Sequence, residues 1–425
     1  MRRMYGVKKN MERQYAEYKK SGTWLHNSVS YKQDRYLDDN NKALANKLFN
    51  TLHIKQGYEV EQKYQDFEIL LANLFDQIKK PISISLSKNN WGQSRYSMTS
   101  YFTITLVYKL YNAKFIEMKK GYDTERESRM TRIWATEKLL DYFPEFATCV
   151  LSKPIELVHL KDAKGKLQEY KDTAETWRIR TILKRINKVN SKADIKYLQY
   201  KLHANLIAIF RERFTWYGRL HTTGFRHYQG FDKLERAEFT INGDNIVELD
   251  YSGLQPNLLY ASEGIQYFGD PYSVIDNRRE IRPFLKQVLL RMINAKNETA
   301  AERSAKNWFY EKHEDEELEM IKRIIKLIDI DGTAVRTIMD KFFEAHKPIA
   351  HYFCHGKVTG MKLMNKDAKI ALDIINHFAK KNVPILCVHD SFIVQKQYEE
   401  ELNLVMKNTY KRHTGFRINV KKEIG

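Results

Sequence analysis

The sequence predicts an α+β protein that combines helical segments with an antiparallel sheet. Apolar residues recur at helical spacing in "DDNNKALANKLFNTL" and "DFEILLANLFDQIKK", and both segments begin with acidic or capping residues. Short strands and glycine turns predominate from about residue 214. Two of these strands, Ile385–Val388 and Phe392–Val394, are separated only by His389, Asp390 and Ser391, as in a hairpin.

The charge of the chain favours a polyanionic partner. The 425 residues, a length typical of two or three domains, include 72 Lys and Arg against 53 Asp and Glu, which gives a net charge of +19. Aromatic residues lie among the basic ones in "FRERFTWYGRLHTTGFRHY", a mixture that suits stacking on bases in a strand-binding groove. A generally basic, solvated surface and an aromatic core edge are the alternatives.

Several classes of protein are excluded by composition. No apolar stretch reaches the roughly 18 residues of a membrane span, and the N-terminal segment is too polar for a signal peptide. Cys149, Cys354 and Cys387 are far apart and form no CxxC pair, so neither a zinc site nor a disulfide framework is indicated. We therefore expect no membrane partner and a reduced, cytoplasmic location, in a bacterial or phage-infected cell.

Residues 1–165 are predicted to form a basic accessory module. "PISISLS" alternates like a short strand, and residues 85–150 predict a helix, a hairpin with "KKGYDTERES" at its tip, and a second helix. This order resembles the winged-helix DNA-binding module of plasmid replication initiators, although a plain α/β subdomain fits equally well. In a winged helix, phosphates would be contacted by Lys119, Lys120, Arg126 and Arg129.

The segment "TAETWRIRTILKRINKVNSKADIKYL" predicts a basic helix or helical pair from Thr173. Its cations include Arg178, Lys184 and Arg185, which lie within about two turns. Such a run is either a solvated face or an arm that follows nucleic-acid phosphates.

Two aspartates end apolar strands. Asp250 ends the strand of "NIVELD", and Asp390 lies in the hairpin turn, 140 residues further along. Asp250 alone fits a helix-capping turn residue or a metal ligand. If a sheet brings both carboxylates together, they repel each other unless divalent cations bridge them. Oxygen ligands suit Mg²⁺, and two such ions about 3.5–4 Å apart catalyse phosphoryl transfer; Mn²⁺ is an alternative.

Four motifs then stand in a meaningful order. "TWYGR" precedes "LDYS" with Arg219 31 residues before Asp250, "RPFLK" follows with Arg282 and Lys286 on one helix face, and "VHDSF" comes last. These resemble the T-x-x-G-R element and motifs A, B and C of the DNA polymerase I family and of the related single-subunit phage and mitochondrial RNA polymerases. The resemblance covers about residues 200–425.

The resemblance implies a right-hand polymerase fold with an antiparallel palm sheet, helical fingers and a thumb. Residues 213–425 would form the palm, with fingers inserted at about 258–350, and residues 166–212 would supply thumb-like helices. The implied partners are a nucleic-acid template and primer and nucleoside triphosphates; protein partners are not indicated.

The resemblance also implies roles for individual residues. Two Mg²⁺ ions would be held by Asp250, Asp390 and the carbonyl of Tyr251. Lys286 and Arg282 would bind the triphosphate, and Lys286 would also protonate the leaving pyrophosphate. Primer or template would be contacted by Thr215, Arg219 and His389, with Arg178, Lys184 and Arg185 further along the strand.

Three positions depart from the family pattern. Gln255 stands where the DNA polymerases have a glutamate that blocks the ribose 2′-hydroxyl and the RNA polymerases have glycine. Asn294 replaces a tyrosine, and Tyr272 in "GDPY" replaces a histidine. A glutamine can exclude a 2′-hydroxyl or bond it, so the choice of sugar stays open, with deoxynucleotides favoured on steric grounds.

The sequence therefore favours a small DNA polymerase of a phage or mobile element. A primase or DNA-directed RNA polymerase of the same fold is the first alternative, and addition without a template is another. A replication initiator that only binds DNA is the alternative of a different class; it would gain nothing from two costly convergent carboxylates beside a polyanion.

Overall fold

The protein is described by a computed structural model. It describes residues 25, 28–33, 35–54, 59–76, 78, 80–91, 94–97, 99–124, 127–144, 150–152, 154–223, 227–279, 281–311 and 334–425. The described chain divides into two compact units. The first extends to Glu156, and the second comprises Leu157–Thr222 and His227–Gly425, so that the division falls before the predicted residue 165.

The first unit contains a four-stranded sheet of order β1-β3-β7-β4, in which β1 and β3 are parallel. Its helices α1 and α2 lie where the helical periodicity predicts them, and Asp38 caps α1 by accepting a hydrogen bond from the Asn41 N–H. Its elements are β1 (Val29–Ser30), β2 (Arg35–Leu37), α1 (Asp39–Thr51), α2 (Val60–Asp76), β3 (Ile82–Ile84), α3 (Phe102–Asn112), β4 (Ile116–Lys119), β5 (Tyr122–Asp123), β6 (Ser128–Arg129), β7 (Thr131–Ala135), α4 (Glu137–Tyr142) and β8 (Val150–Ser152).

The hairpin that follows α3 carries less free positive charge than its sequence suggests. Arg129 pairs with Glu127 at 2.5 Å, and Glu127 also accepts a hydrogen bond from the Tyr122 hydroxyl. Lys119 and Lys120 are exposed, whereas Arg126 lies outside the described residues. The winged-helix assignment and its phosphate contacts stay a prediction.

The second unit is built on a seven-stranded antiparallel sheet of order β11-β10-β14-β15-β17-β16, with β18 also paired to β15. Its strands are β9 (Val158–Lys161), β10 (Ile195–Tyr197), β11 (Tyr200–Lys201), β12 (Leu206–Arg211), β13 (Arg213–Thr222), β14 (Phe239–Ile241), β15 (Asp244–Tyr251), β16 (Leu386–Val388), β17 (Ser391–Gln395) and β18 (Val420–Ile424). The predicted combination of an antiparallel sheet with helices is confirmed.

The helices of this unit include a long one, α11, which packs against β13 and α5. They are α5 (Ala174–Lys192), α6 (Lys233–Arg236), α7 (Leu254–Ser262), α8 (Arg282–Asn294), α9 (Glu298–Glu311), α10 (Ala334–Ala345), α11 (Lys357–Lys380) and α12 (Glu399–Thr414). The described part of the predicted fingers, 258–350, comprises the end of α7 and helices α8, α9 and α10, with an irregular stretch at 263–279; residues 280 and 312–333 lie outside the description. Among the described helices, none combines the length and apolarity needed to cross a membrane.

The segment predicted as thumb-like helices, 166–212, requires correction. All of its residues are described, and they form the single helix α5 followed by strands β10 to β12. "ADIKYL" is not a second helix, because Ile195–Tyr197 pairs with β14, with Ile195 opposite Ile241. The sheet thus begins before residue 214, and burial against neighbouring strands outweighs the local helical pattern.

Candidate active site

The strand register brings Asp250 and Asp390 together. On β15, Asp250 lies opposite Ser391 of β17, and Asp390 is the residue before Ser391. The geometry of an antiparallel ladder places the two Cα atoms about 6 Å apart. Two carboxylates that are distant in sequence thus meet at one end of a strand pair, as the sequence predicts.

The turn that presents Asp390 is tight. Val388 pairs with Ser391, which leaves only His389 and Asp390 in the loop between β16 and β17. His389 has φ 60°, a region that side-chain-bearing residues occupy sparsely and that recurs at functional sites. Its ring is exposed and lies 6.4 Å from the ring of His221. His389 thus lies beside the carboxylate pair.

The charge of Asp250 is poorly compensated. Burial and the neighbouring Asp390 carboxylate raise the pKa of Asp250 to about 7, although the positive charges of Lys421 and Lys286 act in the opposite direction. A carboxyl group that titrates near neutrality in a site of like charge is the expected state of a cation ligand before the cation binds.

Lys421, which sequence analysis does not single out, is the cation in contact with Asp250. It lies directly opposite Asp250 on β18, and its Nζ is 3.3 Å from Asp250 Oδ2. Glu423 shares the same ammonium group and also pairs with Lys233. An alternating strand in which a Lys and a Glu point to the same side is the only sequence signal for this contact.

Strands β15 and β17 are held together next to the candidate site by the buried carboxylate of Glu248. Glu248, only 1% exposed, receives two hydrogen bonds of 2.9 Å from Arg236. The Ser391 hydroxyl donates a third, of 2.6 Å, to the same carboxylate. Ser391 of "HDS" therefore connects β17 to β15 next to the candidate site. A charged residue inside the apolar strand "NIVEL" is the signal that sequence analysis leaves unused.

"TWYGR" forms a bulge in β13. Tyr217 and Gly218 both have positive φ, of 66° and 79°, and the register with β12 shifts at this point. A Cβ on Gly218 would lie 2.8 Å from the Phe210 ring and 3.1 Å from Asn365, so glycine is required for both conformation and space. The bulge ends at Arg219 and sets its direction.

Arg219 points to a buried carboxylate on α11. Its Nε and Nη2 lie 3.3 and 3.2 Å from Asp367 Oδ2. Burial is the main cause that raises the pKa of Asp367, to about 7. The charge of Arg219 lowers this pKa, and the charge of Asp390 raises it. Asp367 falls within the apolar stripe of α11 between Leu363 and Ile370, a placement that marks it in the sequence.

His221 is held as a neutral ring near this group. Burial, together with the charges of His389 and Arg219, lowers the pKa of His221 to about 4. Its Nε2 lies 3.1 Å from the Tyr217 hydroxyl, and the two rings stack. The bulge therefore positions an uncharged hydrogen-bonding ring beside the hairpin turn.

Helix α8 carries Lys286 and Arg282, and Arg282 is paired with a carboxylate. Arg282 forms a double contact with Asp270, one hydrogen bond measuring 3.0 Å. Burial raises the pKa of Asp270, but the hydrogen bonds from Arg282 and Ser273 outweigh burial, and the pKa lies below its ordinary value. Both cations lie over the Tyr272 ring, 5.3 Å away for Arg282 and 5.9 Å for Lys286. Asp270 therefore already occupies part of the Arg282 guanidinium, which would have to bind the predicted phosphate alongside this carboxylate.

Two of the three departures from the family pattern, Gln255 and Asn294, contact each other. The amide nitrogen of Asn294 donates to Gln255 Oε1 at 3.2 Å and to the Leu290 carbonyl at 2.7 Å. A Cβ on Gly360 would lie 2.0 Å from Asn294 Oδ1, so glycine on α11 makes room for this amide. Gln255 thus has a fixed carbonyl oxygen, and its NH₂ remains as a donor.

Other predicted residues have different surroundings. The Tyr251 side chain is 2% exposed and donates to the Met406 carbonyl at 2.6 Å, so only its main-chain carbonyl fits the predicted role in nucleotide and metal binding. Thr215 is exposed and borders a cavity of about 230 Å³ with residues of α5 and α11.

The basic helix α5 also differs from expectation. Arg178 pairs with Glu175 and Asp373, which weakens the predicted phosphate contact. Lys184 is exposed, and Arg185 donates to Asn376 at 2.6 Å. The cations available to an anion therefore lie towards the C-terminal half of the helix.

The carboxylate pair fits Mg²⁺ by its donor chemistry. Across the described residues, no group of three or more His, Cys, Asp and Glu side chains converges into a protein-only metal cage. Mg²⁺ usually takes one or two carboxylates and completes its shell with water and substrate phosphates. Asp250 and Asp390, with their mutual repulsion, offer this type of open site.

Comparison with known proteins adds little. No protein-family model matches the chain, and no curated protein matches it. Among solved structures, it is similar to the POL domain of Pol1 from M. smegmatis in complex with DNA primer-template and dNTP, with 11% identity and a TM-score of 0.33. The match covers 97% of this chain and 68% of that one. These values are too low for the likeness to establish the fold or the function of this chain.

Proposed function

We propose that this chain is a template-directed nucleic-acid polymerase that extends a 3′-hydroxyl by two-metal-ion nucleotidyl transfer. The observation that carries the proposal is the register of β15 and β17, which puts Asp250 beside Asp390. The raised pKa of Asp250 supports it, because two carboxylates with too little positive charge between them are suited to divalent cations.

Asp250, Asp390 and the Tyr251 carbonyl would hold the ions. Two bound Mg²⁺ ions supply positive charge at the attacking and leaving oxygens of the phosphoryl transfer. Lys286 contributes positive charge to the site, since it lowers the pKa of Asp250, and this charge would attract phosphates bound at the carboxylate pair. Arg282, oriented by Asp270, adds a second cation on the same helix.

The strand contacts would lie on the other side of the hairpin turn. Arg219, fixed by Asp367, and His389 border the carboxylate pair and can meet the primer end or template. Gln255, fixed by Asn294, is the residue for sugar selection. We favour deoxynucleotides and a small DNA polymerase of a phage or mobile element; a primase or RNA polymerase is the alternative.

Primer extension tests the proposal. The protein is assayed with deoxyribonucleotides and with ribonucleotides, on DNA and RNA templates, with and without primer, in Mg²⁺ or Mn²⁺. We expect template-dependent extension that Asp390→Ala abolishes while strand binding is retained. Extension by Asp390→Ala at the normal rate would disprove the assignment.

A DNA-binding replication initiator is the second candidate. It is favoured by the order of α3, the β4–β7 strands and α4 in the first unit, which matches the helix–hairpin–helix order predicted from the sequence. Binding of DNA without incorporation of any nucleotide in Mg²⁺ would support this candidate and contradict the polymerase.

A further inference from the structure

A second basic surface lies at the ends of two helices, where α5 and α11 stop near Lys192 and Lys380. A cavity of about 550 Å³ opens there. Among the residues that the structure describes, its cations are Arg185, Lys188, Lys192 and Lys380, and no Asp or Glu lines it. The proposed polymerase mechanism assigns no role to Lys188, Lys192 or Lys380.

The cations are arranged along one helix face. Arg185, Lys188 and Lys192 follow the i, i+3, i+7 spacing that aligns side chains on a helix. Seven residues of helix rise about 10.5 Å, long enough to follow the backbone of roughly two or three successive nucleotides of a single strand. Lys380 of α11 adds a cation from a different element.

The charge of this cavity is not balanced by the protein. The C-termini of the two helices together contribute about one negative charge, against four cations. Asp194, whose backbone bonds to Asn242 at the cavity wall, pairs through its carboxylate with Lys196 at 2.5 Å. Lys188, Lys192 and Lys380 are exposed, with no ion pair to another described residue. Such a cluster favours a polyanion.

We propose that this cavity binds the phosphate backbone of a single nucleic-acid strand, about two or three nucleotides long. Its volume is within the range of small-ligand pockets, so a duplex would touch only the rim. No aromatic ring of the described part of the chain lines it, and its uncharged polar side chains there are the amides of Asn242 and Asn382. The binding is therefore electrostatic and independent of sequence.

The inference rests on the proposed function only in taking nucleic acid as the partner. In that setting the cavity holds a stretch of strand outside the reaction centre. Arg185, which Asn376 holds in place, fixes one side of the cavity, while the three lysines adapt to the backbone.

The test is the salt dependence of binding to a labelled 20-residue oligo(dT), measured by fluorescence anisotropy without divalent metal. In the triple variant Lys188→Gln, Lys192→Gln, Lys380→Gln, we expect the slope of log K against log salt to fall by about 2, since each phosphate contact on a single strand contributes about 0.7. If binding is equal at 1 M salt, affinity at 0.1 M falls about 100-fold.

A matched control loses the same charge elsewhere. Lys396, Lys407 and Lys411 are exposed and do not line the cavity. The triple variant of these residues to Gln is expected to keep nearly the wild-type slope. Equal slopes for the two triple variants would overturn the inference, as would an unchanged slope in Lys188→Gln alone, a single exposed substitution that leaves folding intact.

Two further arms separate other outcomes. Inorganic triphosphate should displace the strand no better than NaCl of equal ionic strength; micromolar triphosphate binding that the cavity variant loses would show a small-anion site and overturn the inference. Asp390→Asn should bind the strand with the wild-type slope. Because this assay needs no turnover, absent primer extension refutes the polymerase and leaves the strand site standing, whereas an unchanged slope refutes only the strand site.

Discussion

Glu248 and Asp250 lie two residues apart on β15, yet their carboxylates are in opposite electrostatic states. Arg236 and Ser391 satisfy Glu248 with three hydrogen bonds of 2.6 to 2.9 Å. Within the described residues, Asp250 contacts one lysine, at 3.3 Å; burial and the charge of Asp390 raise its pKa to about 7. One carboxylate stabilises the strand pair, and the other is held at a cost to stability.

The network around Glu248 offsets the loss of stability that the repulsion between Asp250 and Asp390 causes. The Glu248 network ties β15 to β17 next to the candidate site, so the register that forces Asp250 towards Asp390 is maintained despite their repulsion. Stability is thus concentrated at Glu248 and chemistry at Asp250, a separation often seen where a site is strained.

The largest effect is expected when Asp250 is replaced by Asn. Primer extension should fall at least about 10³-fold, because a metal ligand is lost. The free energy of unfolding at pH 8 should rise by roughly 2 kcal/mol, because the substitution removes a buried, repelled charge. Extension kinetics and urea unfolding measure the two effects.

The pH dependence of the free energy of unfolding shows whether the charge of Asp250 stabilises or destabilises the fold. Below about pH 4 Asp250 is protonated in both the folded and the unfolded chain. Between about pH 4 and 7 the unfolded chain loses this proton first, so the free energy of unfolding falls as pH rises. Asp250→Asn should flatten that decline more than Asp244→Asn, a control on the same strand whose carboxylate bonds to Gln395 and does not face Asp390. A steeper decline in Asp250→Asn would contradict the statement that the charge of Asp250 destabilises the folded protein.

Next in size is the effect of Glu248→Gln, which should destabilise the protein by roughly 3–5 kcal/mol, because it leaves the Arg236 guanidinium without its buried partner. Urea unfolding measures the change. The double variant Glu248→Met, Arg236→Met should recover most of the loss, since no charge then remains buried. A loss of less than about 1 kcal/mol in the single variant would mean that Glu248 does not fasten the strands.

A smaller effect is expected for Lys421→Gln. Removing this ammonium group should raise the pKa of Asp250 further and shift the acidic limb of the pH–rate profile upward by about half to one unit. The neighbouring Lys422→Gln is the control, because Lys422 pairs with Glu399 instead. Identical profiles for the two variants would remove Lys421 from the site.

The smallest effect concerns sugar choice. Gly360→Ala should push Asn294 away from Gln255 and alter the ratio of deoxyribonucleotide to ribonucleotide incorporation by about tenfold, with little change in turnover on the preferred sugar. Asn294→Ala should reproduce the change. Competition between the two nucleotide sets on one template measures it, and an unaltered ratio in both variants would exclude the amide pair from sugar selection.

Local patterns account for the part of this structure that the sequence predicts. The hairpin that presents Asp390, the strand that carries Asp250 and the helix that starts at Arg282 all follow from short apolar periods and turn chemistry. The sequence predicts a three-residue turn, which pairing of Ser391 with Val388 shortens to His389 and Asp390. Asp367, Arg236 and Lys421 were missed as site residues because their partners lie far along the chain. The strand at Ile195–Tyr197 was missed because only pairing with β14 makes it a strand.

The central position of β15 has a consequence for synthesis of the protein. Asp250 pairs with residues 141 and 171 positions later in the chain, on β17 and β18. At about 5–20 residues per second, a ribosome needs roughly 10–30 s to deliver those partners. Throughout that interval the backbone N–H and C=O groups along the edges of β15 lack these partners, and we expect a chaperone that shields the nascent chain to improve the yield of folded protein.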